Sequence, residues 1–253
     1  MVRLVLGVEY DGRCFCGWQT QASGCGVQDV LERALNAIAG ETVATVGAGR
    51  TDSGVHASGQ VAHFDTRAVR PMTAWTRGVN AFLPAGVAVR WAQPVADGFH
   101  ARYSALERRY RYLLLNRPVR PALDAGRVGW FHAPLDVEAM RAGARHLLGE
   151  HDFSAFRAAA CQAKSPVRAL TRLDIQREGE VIVFELAANG FLHHMVRNIV
   201  GGLVYVGNGR RDAAWMGELL ERRDRRLAAP TFAPDGLYFL GARYEARWGL
   251  REG

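Results

Sequence analysis

Apolar residues alternate with polar ones over 3–10, placing Leu4, Leu6, Val8 and Tyr10 on one side, which is the period of a half-buried strand. The period then changes. Val27, Val30, Leu31, Ala34, Leu35 and Ile38 recur at helical spacing, and Gly40 follows as a stop. Residues 42–47 and 60–65 read as short strands. Met72, Trp75, Val79 and Phe82 mark a second helix that ends before Pro84, and Val87, Val89 and Trp91 mark another strand. The order is β-α-β-β-α-β. The second half repeats it. A strand over 105–115 precedes a helix through Val137, Met140, Ala144, Leu147 and Leu148, closed by Gly149. A hairpin over 170–177 and 181–186 turns at Glu178-Gly179. A helix through Leu192, Met195, Val196, Ile199, Val200 and Leu203, a further helix over 212–222 and a last strand over 237–244 complete the set. The expected fold is α+β: two tandem ferredoxin-like units, 1–103 and 104–253, forming one extended, mixed, mostly antiparallel sheet with helices on one face. The other face is expected to be open to a ligand.

Composition narrows the class of function. Hydrophobic residues make up 49% and charged residues 23% of the 253, which excludes a largely disordered chain. Basic residues exceed acidic ones by 32 − 25 = 7, and all but Lys164 are arginine, so a polyanionic partner is expected. Six arginines (Arg102, Arg108, Arg109, Arg111, Arg117, Arg120) share the stretch 102–120 with one acid, Glu107, and mark a phosphate-contact zone. Arg222, Arg223, Arg225 and Arg226, interleaved with Glu221 and Asp224, read as a solvated helix end. Four cysteines (14, 16, 25, 161) contain no CxxC pair, and no histidine cluster completes a zinc pattern, so no metal is expected. Met1 runs straight into a strand-like segment, so no leader is expected, and reduced thiols in a cytoplasm are the preferred reading although the count allows a disulfide. No apolar run is long enough for a membrane span, because 191–207 is broken by His193, His194, Arg197 and Asn198.

One segment between two strands stands out: Gly47-Ala48-Gly49-Arg50-Thr51-Asp52-Ser53-Gly54-Val55-His56-Ala57. Asp52 stands where a dinucleotide fingerprint requires a small residue, and the Gly-Lys-Ser/Thr of a phosphate loop is missing. A Ser/His/Asp hydrolase is excluded because Asp52, Ser53 and His56 are too close in one turn to relay a proton, and no nucleophile elbow occurs. What remains is a tight loop holding a carboxylate beside a guanidinium. The plain alternative is a structural turn.

The whole segment resembles the signature of the TruA family of tRNA pseudouridine synthases. Further motifs follow in the family's order. They are Tyr10-Asp11-Gly12, Phe15, Gly17-Trp18-Gln19 and Gln21, then Val27-Gln28. His100-Ala101-Arg102 precedes Arg109-Tyr110-Arg111-Tyr112. Gly149-Glu150-His151-Asp152-Phe153 with Phe156 comes next. The last two are 191–198 with Gly201, and 233–238. The resemblance implies an open mixed sheet, a homodimer, no cofactor, and isomerisation of uridine at positions 38, 39 and 40 of the tRNA anticodon stem-loop. It places the catalytic aspartate at Asp52, a base-flipping arginine at Arg50, a ring packing against the target base at Tyr110, and a carboxylate-pairing arginine at Arg197.

These residue types suit such a reaction. Pseudouridine formation breaks the ribose–N1 bond and remakes it at C5, with no redox change and no group donor. A carboxylate can act as nucleophile or proton acceptor, and a neighbouring arginine favours its charged form. Attack on the sugar, attack on the base and proton abstraction from the ribose all remain open. The uridine must leave its stack at a cost of a few kcal/mol, and stacking on an aromatic ring returns roughly 1–3 kcal/mol. Arg102, Arg108, Arg109 and Arg111 are the expected phosphate contacts. His56 is expected to brace its loop, and His193 and His194 to lie on a helix surface. The competing reading is a non-catalytic RNA-binding protein with the same basic sheet.

Overall fold

The computed structural model describes residues 1–251. The fold is α+β and forms two compact units, Met1–Arg108 together with the stretch from Tyr238 onward, and Arg109–Leu237. The last strand, which element order alone assigns to the second repeat, thus belongs with the first unit.

In the first unit β1 (Val2–Tyr10), α1 (Val27–Ala39), β2 (Val46–Gly47), β3 (His56–Thr66), a short helix with a π-turn at Ala74–Gly78, and β4 (Val87–Val95) follow the ferredoxin-like order. β1 lies between β4 and β3 and is antiparallel to both. The outer edge of β3 is shared. β2 pairs antiparallel at Ala62 and His63, and β10 (Leu237–Tyr244) pairs parallel at His56 and Ala57. Part of the mixed character expected of the sheet therefore arises at β10. Residues 42–45, expected as strand, are held by α1 side chains instead. Asn36 Oδ1 accepts the Val43 N–H at 2.8 Å, and Glu32 Oε1 accepts the Thr45 N–H at 2.7 Å.

Leu4, Leu6 and Val8 are buried, and Phe64, opposite Leu4, packs on Trp75 of the π-turn helix at 5.3 Å between ring centroids. α1 ends as its sequence suggests, with Gly40 in the left-handed region at φ 71° donating to the Asn36 carbonyl. The opposite face, expected to be open, is partly covered. Val5 and its cross-strand neighbour His63 are buried, and His63 sits edge-on to Phe99, which packs on Tyr244 and Trp248 at 5.1 and 5.4 Å. The Tyr244 hydroxyl donates to the Ala101 carbonyl at 2.7 Å and anchors this cover.

In the second unit β5 (Ala105–Asn116, whose first four residues count with the first unit) neighbours β9 (Val181–Ala188), followed by β8 (Val167–Glu178) and β7 (Gly149–Asp152). β6 (Gly129–Phe131) pairs parallel with β5. The short β6 and β7 lack any apolar alternation of their own, so only their pairing defines them. Leu173 and Ile175 of β8, opposite Leu186 and Phe184 of β9, are buried. The helices are α2 (Val137–Arg145), α3 (Met195–Gly207) and α4 (Trp215–Arg222). α3 is buried on nearly all sides, which glycine permits. A side-chain carbon at Gly207 would stand 2.8 Å from Met140 of α2, and one at Gly202 3.0 Å from Met216 of α4. None of the helices among the described residues is long and apolar enough to cross a membrane.

Burial lowers the pKa of His63 to about 4, with the nearby His100 ring (centroids 4.8 Å) and Arg3 adding to the effect. Its Nδ1 accepts the Ala101 N–H at 3.2 Å. An unfolded histidine takes up its proton near pH 6.5, so between pH 6.5 and 4 the unfolded chain binds more protons than the folded one. Stability should therefore be complete above that window and fall on acidification, by about 2 kcal/mol from this group. Urea midpoints measured at pH 7.5 and 4.5 should fall less for His63→Gln than for the parent; equal falls would refute the assignment.

Candidate functional site

The Asp52 loop is clamped from beneath by residues 10–18. The Tyr10 hydroxyl, fully buried, meets Thr51 Oγ1 at 2.8 Å. Burial raises the Tyr10 pKa far above its usual value, so the group stays protonated and available to hydrogen-bond. Trp18 N–H donates to the Thr51 carbonyl at 3.1 Å, and Ser53 Oγ donates to the Phe15 carbonyl at 3.3 Å. Two glycines make this approach possible. A side-chain carbon at Gly12 would stand 2.1 Å from the Val55 carbonyl oxygen, and one at Gly17, whose φ is 100°, 2.6 Å from that of Thr51. Gly54 at φ 80° allows the turn in which Val55 N–H returns to the Asp52 carbonyl at 3.2 Å.

The approach to the loop is held just as closely. Ala48 N–H donates to the Val61 carbonyl at 2.8 Å, and Gln60 Nε2 donates to the Gly49 carbonyl at 2.7 Å. Arg108, from the start of β5, donates to the Ala48 carbonyl at 3.3 and 3.4 Å and also to the carbonyls of Ala105 and Arg102. On the far side His56 Nδ1 accepts the Gly12 N–H at 3.2 Å, lies 3.3 Å from Asp11, and its ring stacks on Tyr238 at 4.7 Å. Arg13, hydrogen-bonded to Asp11, holds that carboxyl down to about pH 2. The backbone around Asp52 is thus fixed on every side, while Asp52 is half-buried and Arg50 exposed.

The second unit supplies the other sequence-selected residues. Tyr110 is buried on β5 and meets Phe191 edge-on at 5.0 Å. Arg197, near the start of α3, donates from Nε to the Phe232 carbonyl at 2.8 Å, and its own carbonyl accepts the Phe232 N–H at 3.2 Å. The helix start is strained: His194 caps it at φ 62°, a conformation disfavoured for a residue with a side chain. His193 is exposed and His194 half-buried, their rings 4.0 Å apart. Gly201 lets the Pro230 carbonyl come within 2.4 Å of where its side chain would begin. Sequence reasoning missed the polar knot beside it. Asn198, fully buried, donates to the Phe156 carbonyl at 2.7 Å, and its Oδ1 accepts from Arg225 at 3.0 Å and Thr231 at 2.7 Å. Arg225 also donates to the Ala229 carbonyl at 2.8 Å, so it does not belong to a solvated helix end. An asparagine in an otherwise apolar helix face was the signal available.

The basic stretch 102–120 is also less uniform than its sequence. Arg111 binds Glu185 at 2.6 Å, Arg117 binds Glu180 at 2.9 Å, and Arg243 lies 3.7 Å from Glu107. Arg172 bridges Glu185 and Asp174 on the same exposed sheet face as Arg111. Arg109 is exposed, and Arg102 is exposed with its guanidinium 5.8 Å from the Tyr103 ring. The thiols also differ from expectation. Cys16 and Cys25 are joined as a disulfide, while Cys14 and Cys161 are free. The turn through Ser23 and Gly24 returns the chain so that Cys16 N–H donates to the Cys25 carbonyl at 3.0 Å.

Residues 7–104 and 144–245 match the profile of a family described as tRNA pseudouridine synthase. The chain belongs to that family. A protein of Dechloromonas aromatica named tRNA pseudouridine synthase A is 62% identical over 249 residues, covering 98% of this chain and 95% of that protein. Proteins of the same name from Aromatoleum aromaticum and Thiobacillus denitrificans are 60% and 58% identical, covering 98% and 100% of this chain and 94% and 97% of theirs. The profile match of this pseudouridine synthase family member contains the clamped loop and α3. It leaves out 105–143, and with it Tyr110 and the arginines at 108, 109 and 111.

The Tyr10–Thr51 hydrogen bond predicts a measurable coupling. Tyr10→Phe and Thr51→Val should each destabilise the protein by about 1 kcal/mol, and the double variant by little more than either alone. Gly12→Ala should be the most damaging of the set, because backbone rather than a flexible side chain stands in the way. Urea denaturation of the four variants gives the comparison; fully additive losses would mean the two hydroxyls do not act together.

Proposed function

We propose that the chain isomerises uridine to pseudouridine in tRNA, at positions 38, 39 and 40 of the anticodon stem-loop, with Asp52 as the catalytic carboxylate. The observation that carries this reading is the clamped loop. Its backbone is immobilised by Tyr10, Trp18, Gln60 and Arg108, while the carboxylate itself is only half-buried. A rigid backbone beneath an accessible carboxylate is what a group needs when it must meet one sugar–base bond in a fixed geometry. A turn that merely satisfied its own amides would not require this scaffold. Family membership favours the same activity over a non-catalytic RNA-binding protein.

In this reading Arg197 pairs with Asp52 and keeps it aimed. Phe232, by holding Arg197 Nε, orients that guanidinium. Arg50 reaches toward the vacated stack, and Tyr110 packs on the everted base, its ring steadied by Phe191. Arg102 and Arg109, both exposed, contact phosphates. Arg111 contacts phosphate only by exchanging or sharing its Glu185 partner. Arg108 acts through the loop it holds. The protein works as a homodimer, as the family resemblance implies, and in the cytoplasm.

The test is purified protein incubated with unmodified tRNA, with modified uridines mapped by position. Pseudouridine is expected at 38–40. Asp52→Ala and Asp52→Asn should abolish it while tRNA still binds. Tyr110→Phe should retain more activity than Tyr110→Ala, because the ring supplies the stacking worth roughly 1–3 kcal/mol. Substantial product from Asp52→Ala would defeat the assignment.

A further inference from the structure

Cys16 occupies the middle of the segment that clamps the Asp52 loop. The Phe15 carbonyl before it accepts Ser53 Oγ, and the Trp18 N–H after it reaches the Thr51 carbonyl. Cys25 lies at the other end of a short loop, directly before Gly26, the residue that caps α1. Two backbone bonds from the first turn of α1 return to the clamp: Val27 N–H to the Gly17 carbonyl at 3.0 Å and Gln28 N–H to the Trp18 carbonyl at 2.9 Å. The Cys16 and Cys25 Cα atoms are 5.4 Å apart, within the span of a disulfide. A bond between the two sulfurs therefore ties the clamp to the helix beside it.

Both ends of the pair suit thiol chemistry. Cys16 is exposed and Cys25 half-buried, so a small reagent can reach Cys16. The Ser23 hydroxyl donates to Cys25 Sγ at 3.0 Å and holds that sulfur in place. Gln21 Nε2 donates to the Cys16 carbonyl at 2.8 Å and Gly24 N–H to the Gln21 carbonyl at 2.9 Å, so the loop has hydrogen bonds of its own besides the bond between the sulfurs.

We propose that Cys16 and Cys25 form a reversible modification site, an oxidisable dithiol whose co-substrate is a low-molecular-weight disulfide such as oxidised glutathione. The Cys16 thiolate attacks one glutathione sulfur and releases the other half as a thiolate. The Cys25 thiolate then attacks the Cys16 sulfur of the mixed disulfide and expels the second glutathione thiolate. Two protein thiols are oxidised, one glutathione disulfide is reduced to two thiols, and the two protons lost by the cysteines balance the two thiolates released. In a reducing compartment such a bond is transient, which is how redox-sensing pairs behave. That the tied loop bears the catalytic carboxylate rests on the function proposed above; formation of the bond does not.

The experiment equilibrates the full-length protein in glutathione buffers from fully reduced to mostly oxidised, then alkylates it and maps its peptides by mass. A Cys16–Cys25 bond that is reversed by reduced glutathione is expected, with Cys14 and Cys161 still alkylated. In the oxidised form the Trp18 amide should exchange hydrogen more slowly, and the melting temperature should rise by about 5 °C. Cys25→Ser should show neither change, and its reduced form should melt close to the reduced parent. Glutathione held only as a mixed disulfide would overturn the proposal. So would a bond to Cys14, or a Cys16–Cys25 bond that leaves Trp18 exchange and melting unaltered. None of these readouts uses tRNA, so a failure of the proposed activity is seen separately in the reduced protein.

Discussion

The backbone of residues 12–18 lies against the backbone of residues 51–55 with no room for side chains between them. This contact is the constraint on which the rest of the loop depends. It requires glycine at 12 and 17, which leaves the amide of Trp18 free to reach Thr51 and places the Tyr10 hydroxyl under the same residue. Once those bonds form, Asp52 has little backbone freedom left. The conformational entropy of that stretch is lost in folding, which leaves the carboxylate on a fixed backbone.

The same economy appears in the second unit. Arg197, Asn198 and Gly201 occupy one stretch of a helix that is otherwise apolar, and all three engage the chain between 229 and 232. A helix buried on nearly all sides has few places for polar groups, so each one present must be satisfied by a specific neighbour. The strained cap at His194 sits at the head of that helix, where a regular start would turn the chain differently. Charge follows a similar rule. The consecutive Arg108 and Arg109 of β5 point to opposite faces, and the partners of Arg111 and Arg117 come from β9 and the turn before it.

Much of this was legible in the chain itself. The alternation of Leu4, Leu6 and Val8, the helical spacing from Val27 to Ile38 and the hairpin about Gly179 all rest on local periodicity, and each element formed where that periodicity placed it. The Gly47–Ala57 segment was recognisable because the whole of it resembles a family signature, whereas its glycines and charges alone are also those of a structural turn. What escaped notice had no local signature. Residues 42–45 have strand-like composition, yet Asn36 and Glu32 hold them as an irregular segment. β6 and β7 exist only as partners of longer strands. Arg108 looked like its neighbours, although it is directed at the Ala48 carbonyl on the approach to the loop.

The amino-acid sequence by itself determined the α+β element order, the family and the loop that bears Asp52, because those depend on side-chain period, turn chemistry and motif spacing. Tertiary structure alone decided three things. The last strand joins the first unit, Cys25 faces Cys16, and half of the six arginines of the basic stretch are matched by acids or carbonyls from elsewhere. The physical reason is the same in each case. A hydrogen bond, an ion pair or a disulfide is set by distance in space, and residues far apart in the chain carry no mark of whom they will meet.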